Sequence, residues 1–184
     1  MEAPCVKMRG ADLMKSIEIP FQQWIHVVRP TYDYNGKDQE YLCDTVAHMV
    51  GKIFMYAIEC RYDFVPFVEG FISSDVFRYF DRNLNMYSNS PYHVLAGYDS
   101  EQRAAGKMPP HLDQEQPELM EVAYWMGYLM TEWKMVDGVD GEHIVKSYDI
   151  PWIIERYQKG DFRNYSIRKT IQAIRAKFDF EVLQ

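Results

Sequence analysis

The chain has 184 residues and a mass of 21.8 kDa, which fits one domain, or one domain plus a short appendage. Hydrophobic residues make up 47% and aromatics 15%, with 14 Tyr and 11 Met, so disorder is excluded over most of the length and neither disulfides nor a metal is needed to fold it. The net charge of −7 is uneven: residues 1–155 hold 13 Lys and Arg against 24 Asp and Glu, and residues 156–184 hold 7 against 3, so only the C-terminal segment suits an acidic partner.

Residues 1–12 read as a frayed leader. Pro20 can open a short helix carrying Phe21, Trp24, Ile25 and Val28 inward, and Pro30 closes it. Asn35-Gly36 marks a turn. From Asp38, a plausible N-cap, a long helix is expected to Arg61, with Leu42, Val46, Met49, Ile53 and Ala57 on one face. Asp63 can cap the next helix, with Pro66 in its first turn. Ser73-Ser74-Asp75 then restarts the chain as a short helix bearing Val76, Phe77 and Phe80. Residues 83–89 read as loop, and Ser90-Pro91 opens a helix expected to reach about Tyr98. Residues 106–116 (GKMPPHLDQEQ) are the most linker-like stretch.

The next segment, 117–136 (PELMEVAYWMGYLMTEWKMV), is the most informative in the chain. Leu119, Val122, Met126, Leu129, Trp133 and Val136 fall on one helical stripe. Ala123, Gly127 and Thr131 form a second line of small side chains where another backbone could approach. Met120, Tyr124, Trp125, Tyr128, Met130 and Met135 fill most of the rest, leaving a narrow polar arc at Glu121 and Glu132. A helix apolar nearly all round is a buried one, so this is expected to be the central helix of the domain. Asp137-Gly138 ends it. A short helix over 140–148, a helix capped by Asp149 and closed by Gly160, and a last helix capped by Ser166 follow. The buried face of that last helix is Ile167, Ile171, Ile174 and Phe178, and the tail 180–183 is read as extended.

The expected fold is therefore all-α: a single domain over 1–184, a compact multi-helix bundle of seven to nine helices around 117–136 and 38–61. Cys5, Cys43 and Cys60 are odd in number and scattered, which suggests neither a disulfide framework nor a zinc knuckle. Cys43 and Cys60 read as small apolar core residues. No apolar run suits a signal peptide or a membrane span, so a reducing cytoplasm is the expected location.

Chemistry is nearly silent. The five histidines lie in no metal-ligand spacing, and no cofactor is expected. Asp44 and His48, four apart, could make an acid–base pair, but an ordinary surface pair accounts for them. Glu118 and Glu121 fit the helix dipole better than a di-iron site, and Asp137–Glu142 fits a turn better than a calcium loop. The surface of most interest is the last helix, where Arg168, Gln172 and Arg175 share one arc with Lys169 beside it, away from the Ile/Phe stripe. These four are the candidate partner-binding residues, against the plainer reading of a solvated basic face.

Two phrases carry a resemblance. FVEGFISSDVFRYFD at 67–81 and AYWMGYLMTEWKMVDGVDGEHI at 123–144 resemble a family of small helical bacterial proteins with no assigned activity, encoded near ADP-ribosyltransferase-like toxin genes. The chain departs from that pattern at Met130-Thr131-Glu132, where further aromatics follow in the family. The resemblance implies a shared helical fold and a place in a toxin–antitoxin or defence locus. The leading expectation is a non-enzymatic protein-binding domain, antitoxin- or immunity-like, with a protein partner and homo-oligomerisation left open. The alternatives are a small-molecule-binding or enzymatic domain with an aromatic and Met-lined pocket, and, less favoured, a nucleic-acid binder using the C-terminal basic face.

Overall fold

Helical periodicity in the sequence becomes eight α-helices in the computed structural model, which describes residues 36–78, 80 and 90–181. They are α1 (Gly36–Glu59), α2 (Phe64–Ile72), α3 (Asp75–Arg78), α4 (Pro91–Ala105), α5 (Met120–Asp137), α6 (Gly141–Ser147), α7 (Ile150–Gln158) and α8 (Ile167–Glu181). There is no strand among the described residues, so the fold is all-α. The expectations for 1–12, 19–28 and 83–89 lie outside those residues, as do 31–35 of the turn expected over 31–37, whose last two residues, Gly36 and Lys37, are helical.

The long helix begins at Gly36 rather than being capped by Asp38. It ends at Glu59, where Arg61 takes a left-handed conformation (φ 63°) and turns the chain into α2. Its apolar stripe, Val46, Val50, Ile53, Phe54 and Ala57, is buried. α5 runs antiparallel against it, pairing Asp44 with Tyr128 and His48 with Tyr124 across the seam. Small residues let the two backbones touch: a methyl group added at Gly127 would lie 2.7 Å from the Val50 carbonyl oxygen and 2.9 Å from Gly51 Cα. The small line Ala123/Gly127/Thr131 thus marks a helix crossing, as its spacing predicts.

Val122, Met126, Leu129 and Trp133 of α5 are buried in one continuous core, while Leu119 is only half-buried in the 3-10 turn Pro117–Leu119 that precedes the helix. Burial of such side chains contributes about 1.5–3 kcal/mol each, so the α1–α5 pair anchors the domain. One side of the core is a cluster of edge-to-face rings: Phe54 meets Phe67 at 5.2 Å and Phe71 at 5.4 Å, and Tyr98 meets Phe71 at 5.3 Å. A second aromatic series, Trp133–Tyr148–Phe178–Trp152–Phe162–Trp125–Tyr157, ties α5, α7 and α8 together.

The caps follow the sequence closely. Asp140 and Asp149 accept the N–H groups of Glu142 and Trp152, Ser166 accepts that of Lys169, and Gly138 ends α5 at φ 66°. Asp63 occupies the N-cap of α2 without a side-chain bond.

Four expectations are corrected. α4 continues past Tyr98 to Ala105, because Leu95, Tyr98 and Gln102 keep a buried stripe through a polar stretch until Gly106 caps it at φ 66°. Residues 106–116 are no linker: Pro110 accepts from Asp63 N–H, Leu112 donates to the Arg61 carbonyl, and His111 lies 4.1 Å from the Tyr62 ring. The tail is helical as far as Glu181. Finally, Cys60 is fully buried in the turn after α1 and is disulfide-bonded, not a free apolar thiol.

Candidate functional site

An open groove of about 430 Å³ lies where α5 meets α1 and α7. Its lining is Met55 from α1; Met120, Glu121, Tyr124, Trp125 and Tyr128 from α5; and Tyr157 from α7. Of the arc of α5 expected to be buried, Met130 is, whereas Met120, Tyr124, Trp125 and Tyr128 are only partly buried and form a wall. α1 covers the small-residue line of α5 and the core covers the Met126/Leu129/Trp133 stripe, which leaves this third arc for the groove.

Ring stacking backs the wall. Trp125 stacks on Tyr157 at 4.2 Å and on Phe162 at 6.1 Å. The Tyr157 hydroxyl donates to Glu121 Oε1 at 3.0 Å, and burial first, then this bond, pushes the Tyr157 phenol up to about 12. Among the described lining residues Glu121 is the only carboxylate. Its second oxygen lies 3.6 Å from Arg163 Nη2, and the Arg163 guanidinium sits 5.8 Å from the Tyr157 ring centre. Glu121 therefore does more than complement the dipole of α5.

Asp44 and His48 lie beside the groove. Their i,i+4 contact measures 3.4 Å, and both side chains are about half-exposed. They are also joined across the helix seam, since Tyr128 donates to Asp44 Oδ1 and His48 Nδ1 shares a hydrogen bond with the Tyr124 hydroxyl. Burial, then the Asp44 charge, raises the Tyr124 phenol above its usual range, which keeps it protonated. Asp44–His48–Tyr124 is thus a polar line linking two helices, not an isolated surface pair.

The four residues of the C-terminal basic face do not form one continuous surface. Arg168 and Gln172 are exposed, and Lys169 is exposed with its ammonium 4.1 Å from the Tyr165 ring centre. Arg175 instead folds back, pairing with Asp137 at 3.2 Å and covering the Trp133 ring at 5.8 Å. The preceding cations are also paired: Arg156 with Asp161 at 2.7 Å, Lys159 with Glu155, and Arg163 with Glu121. The acidic Asp140 and Glu142 are answered by Arg78, each at 3.7 Å. Among the described residues no group of three or more His, Cys, Asp or Glu is placed to hold a metal. No described helix is long and apolar enough to cross a membrane.

Fold and groove together define a helical bundle with an apolar, aromatic surface recess. No family model matches the chain, and no curated protein or solved structure does either.

Proposed function

We propose that this is a non-enzymatic protein-binding domain whose docking surface is the groove between α1, α5 and α7. The observation that carries the reading is the composition of that lining: four aromatic rings, two Met and one carboxylate, open to solvent. Aromatic residues dominate binding hot spots, and Met side chains adapt to the shape of a partner. An enzyme or small-molecule pocket would instead be a deeper cleft with several convergent polar groups. The resemblance of 67–81 and 123–144 to proteins encoded near ADP-ribosyltransferase-like genes supports an antitoxin- or immunity-like role for the domain, with a neighbouring gene product as partner.

A second, enzymatic reading draws on the Asp44–His48–Tyr124 line, which has the connectivity of an acid–base relay. A nucleic-acid role has less support, because at least four of the seven Lys and Arg in 156–184 are paired with carboxylates. The test is co-purification from the native host with neighbouring genes in place, using wild type and a Met55→Glu/Met120→Glu variant matched for thermal stability. A partner retained by wild type and lost by the variant is expected. Equal recovery by both would refute docking at the groove.

A further inference from the structure

Among the described residues of the groove, the one carboxylate is held by one residue and neutralised by another of a different kind. Glu121 Oε1 is oriented by the Tyr157 hydroxyl at 3.0 Å, and Tyr157 is packed on Trp125 in the aromatic series of α5 and α7. The cation at Oε2, Arg163, comes from the turn after α7, and its side chain is 52% exposed. An exposed ion pair of this kind is weak, and Glu121 is itself 65% exposed, so the cation is exchangeable while the Tyr157 hydrogen bond and the packed rings keep the carboxylate at the groove. Arg163 also lies over the Tyr157 ring, so the chain itself displays the chemistry the site favours: a guanidinium against an aromatic face with a carboxylate behind it.

We propose that the groove takes an Arg or Lys side chain from a segment of a partner protein, with Glu121 as counter-ion and Arg163 as an internal stand-in that the incoming cation displaces. This rests on the groove being a docking surface and adds the chemistry of what docks. Met55 and Met120 accept apolar residues flanking the cation. The excess of Asp and Glu over residues 1–155, 24 against 13 Lys and Arg, favours a basic segment over an acidic one.

The test uses two peptides, acetyl-Leu-Arg-Leu-amide and acetyl-Leu-Gln-Leu-amide, titrated into the full chain while the assigned methyl resonances of Met55 and Met120 are followed by NMR. The Arg peptide is expected to bind about tenfold more tightly than the Gln peptide, the order given by one charge-assisted contact plus a cation–ring contact. Glu121→Gln, which keeps an acceptor for Tyr157, should erase that difference. Arg163→Gln, which removes the competitor, should tighten the Arg peptide several-fold; a general loss of structure cannot produce this opposite sign. Equal binding of the two peptides would overturn the inference while leaving an apolar docking groove in place. No methyl response to either peptide, or an Arg preference that survives Glu121→Gln, would overturn it too. Docking itself is decided separately by the co-purification assay.

Discussion

Replacing Gly127 by Ala adds one methyl group to a helix, a change that in an exposed helix stabilises by about 1 kcal/mol through propensity alone. At this position the methyl would lie 2.7 Å from the Val50 carbonyl oxygen, 2.8 Å from its carbon and 2.9 Å from Gly51 Cα. All three are backbone atoms of α1, so no side chain can swing aside, and the helices must separate. Overpacking of this kind costs about 1–3 kcal/mol, sometimes more, and should outweigh the propensity gain. Gly97 in α4 is the control, since an added methyl there meets nothing within 4 Å. Gly97→Ala should therefore stabilise by up to about 1 kcal/mol while Gly127→Ala destabilises. In thermal melts of a chain this size, 1 kcal/mol moves the midpoint by about 2–4 °C. Urea melts of both variants give the free energies directly. If Gly127→Ala is as stabilising as Gly97→Ala, the close α1–α5 crossing does not exist.

Other outcomes follow from the same structure. Leu129→Ala should cost about 2–5 kcal/mol and Trp133→Ala about 3–5 by urea melt, because both side chains are fully buried; unchanged midpoints would contradict that burial. Burial raises the phenols of Tyr62, Tyr98 and Tyr157, so the folded chain keeps protons that the unfolded chain releases near pH 10. Stability should consequently hold below about pH 10 and fall as pH rises beyond it, with part of the tyrosinate absorbance near 295 nm appearing only on unfolding. Arg168→Glu and Lys169→Glu should each stay within about 0.5 kcal/mol of wild type in denaturant melts. Arg175→Glu should destabilise more than either, since it sets a carboxylate beside Asp137 and uncovers Trp133.

Legibility in the sequence tracked how local each feature is. The small line Ala123/Gly127/Thr131, the caps Asp149 and Ser166, and the stop at Gly138 depend on residues within a turn or two, and each is readable from spacing. The partner of Gly127 was not, because Gly51 is an isolated glycine in a helical pattern and only the packing of α1 on α5 gives it meaning. The last seven residues of α4 carry no helical signal in the sequence, since Asp99–Ala105 lacks an apolar period and its one buried residue, Gln102, is polar. Residues 106–116 looked like a linker because backbone hydrogen bonds to Arg61 and Asp63 leave no trace in composition.

The groove was hidden for a related reason. Tyr124, Trp125 and Tyr128 were visible as an apolar arc, but which arcs of α5 are covered depends on α1, on the rest of the core and on the chain after α7. The tie between Glu121 and Arg163 spans 42 positions and joins α5 to the turn after α7, so no helical periodicity announces it. On the last helix, Arg175 shares its arc with Arg168 and Gln172, yet Asp137 at the end of α5 draws it inward. Helical spacing sorts residues into faces; the neighbouring element decides what each face meets.

The central claim, that the α1/α5/α7 groove receives a protein partner, is tested most directly by site-specific photo-crosslinking in the native host. A photoreactive residue at Met55 places the probe in the groove wall, and the same residue at the exposed Gln172 places it on the C-terminal helix. The account predicts one discrete protein adduct from position 55, reduced by Glu121→Gln, and no such adduct from position 172. A discrete adduct from 172 with none from 55 would contradict it and return the docking role to the basic face.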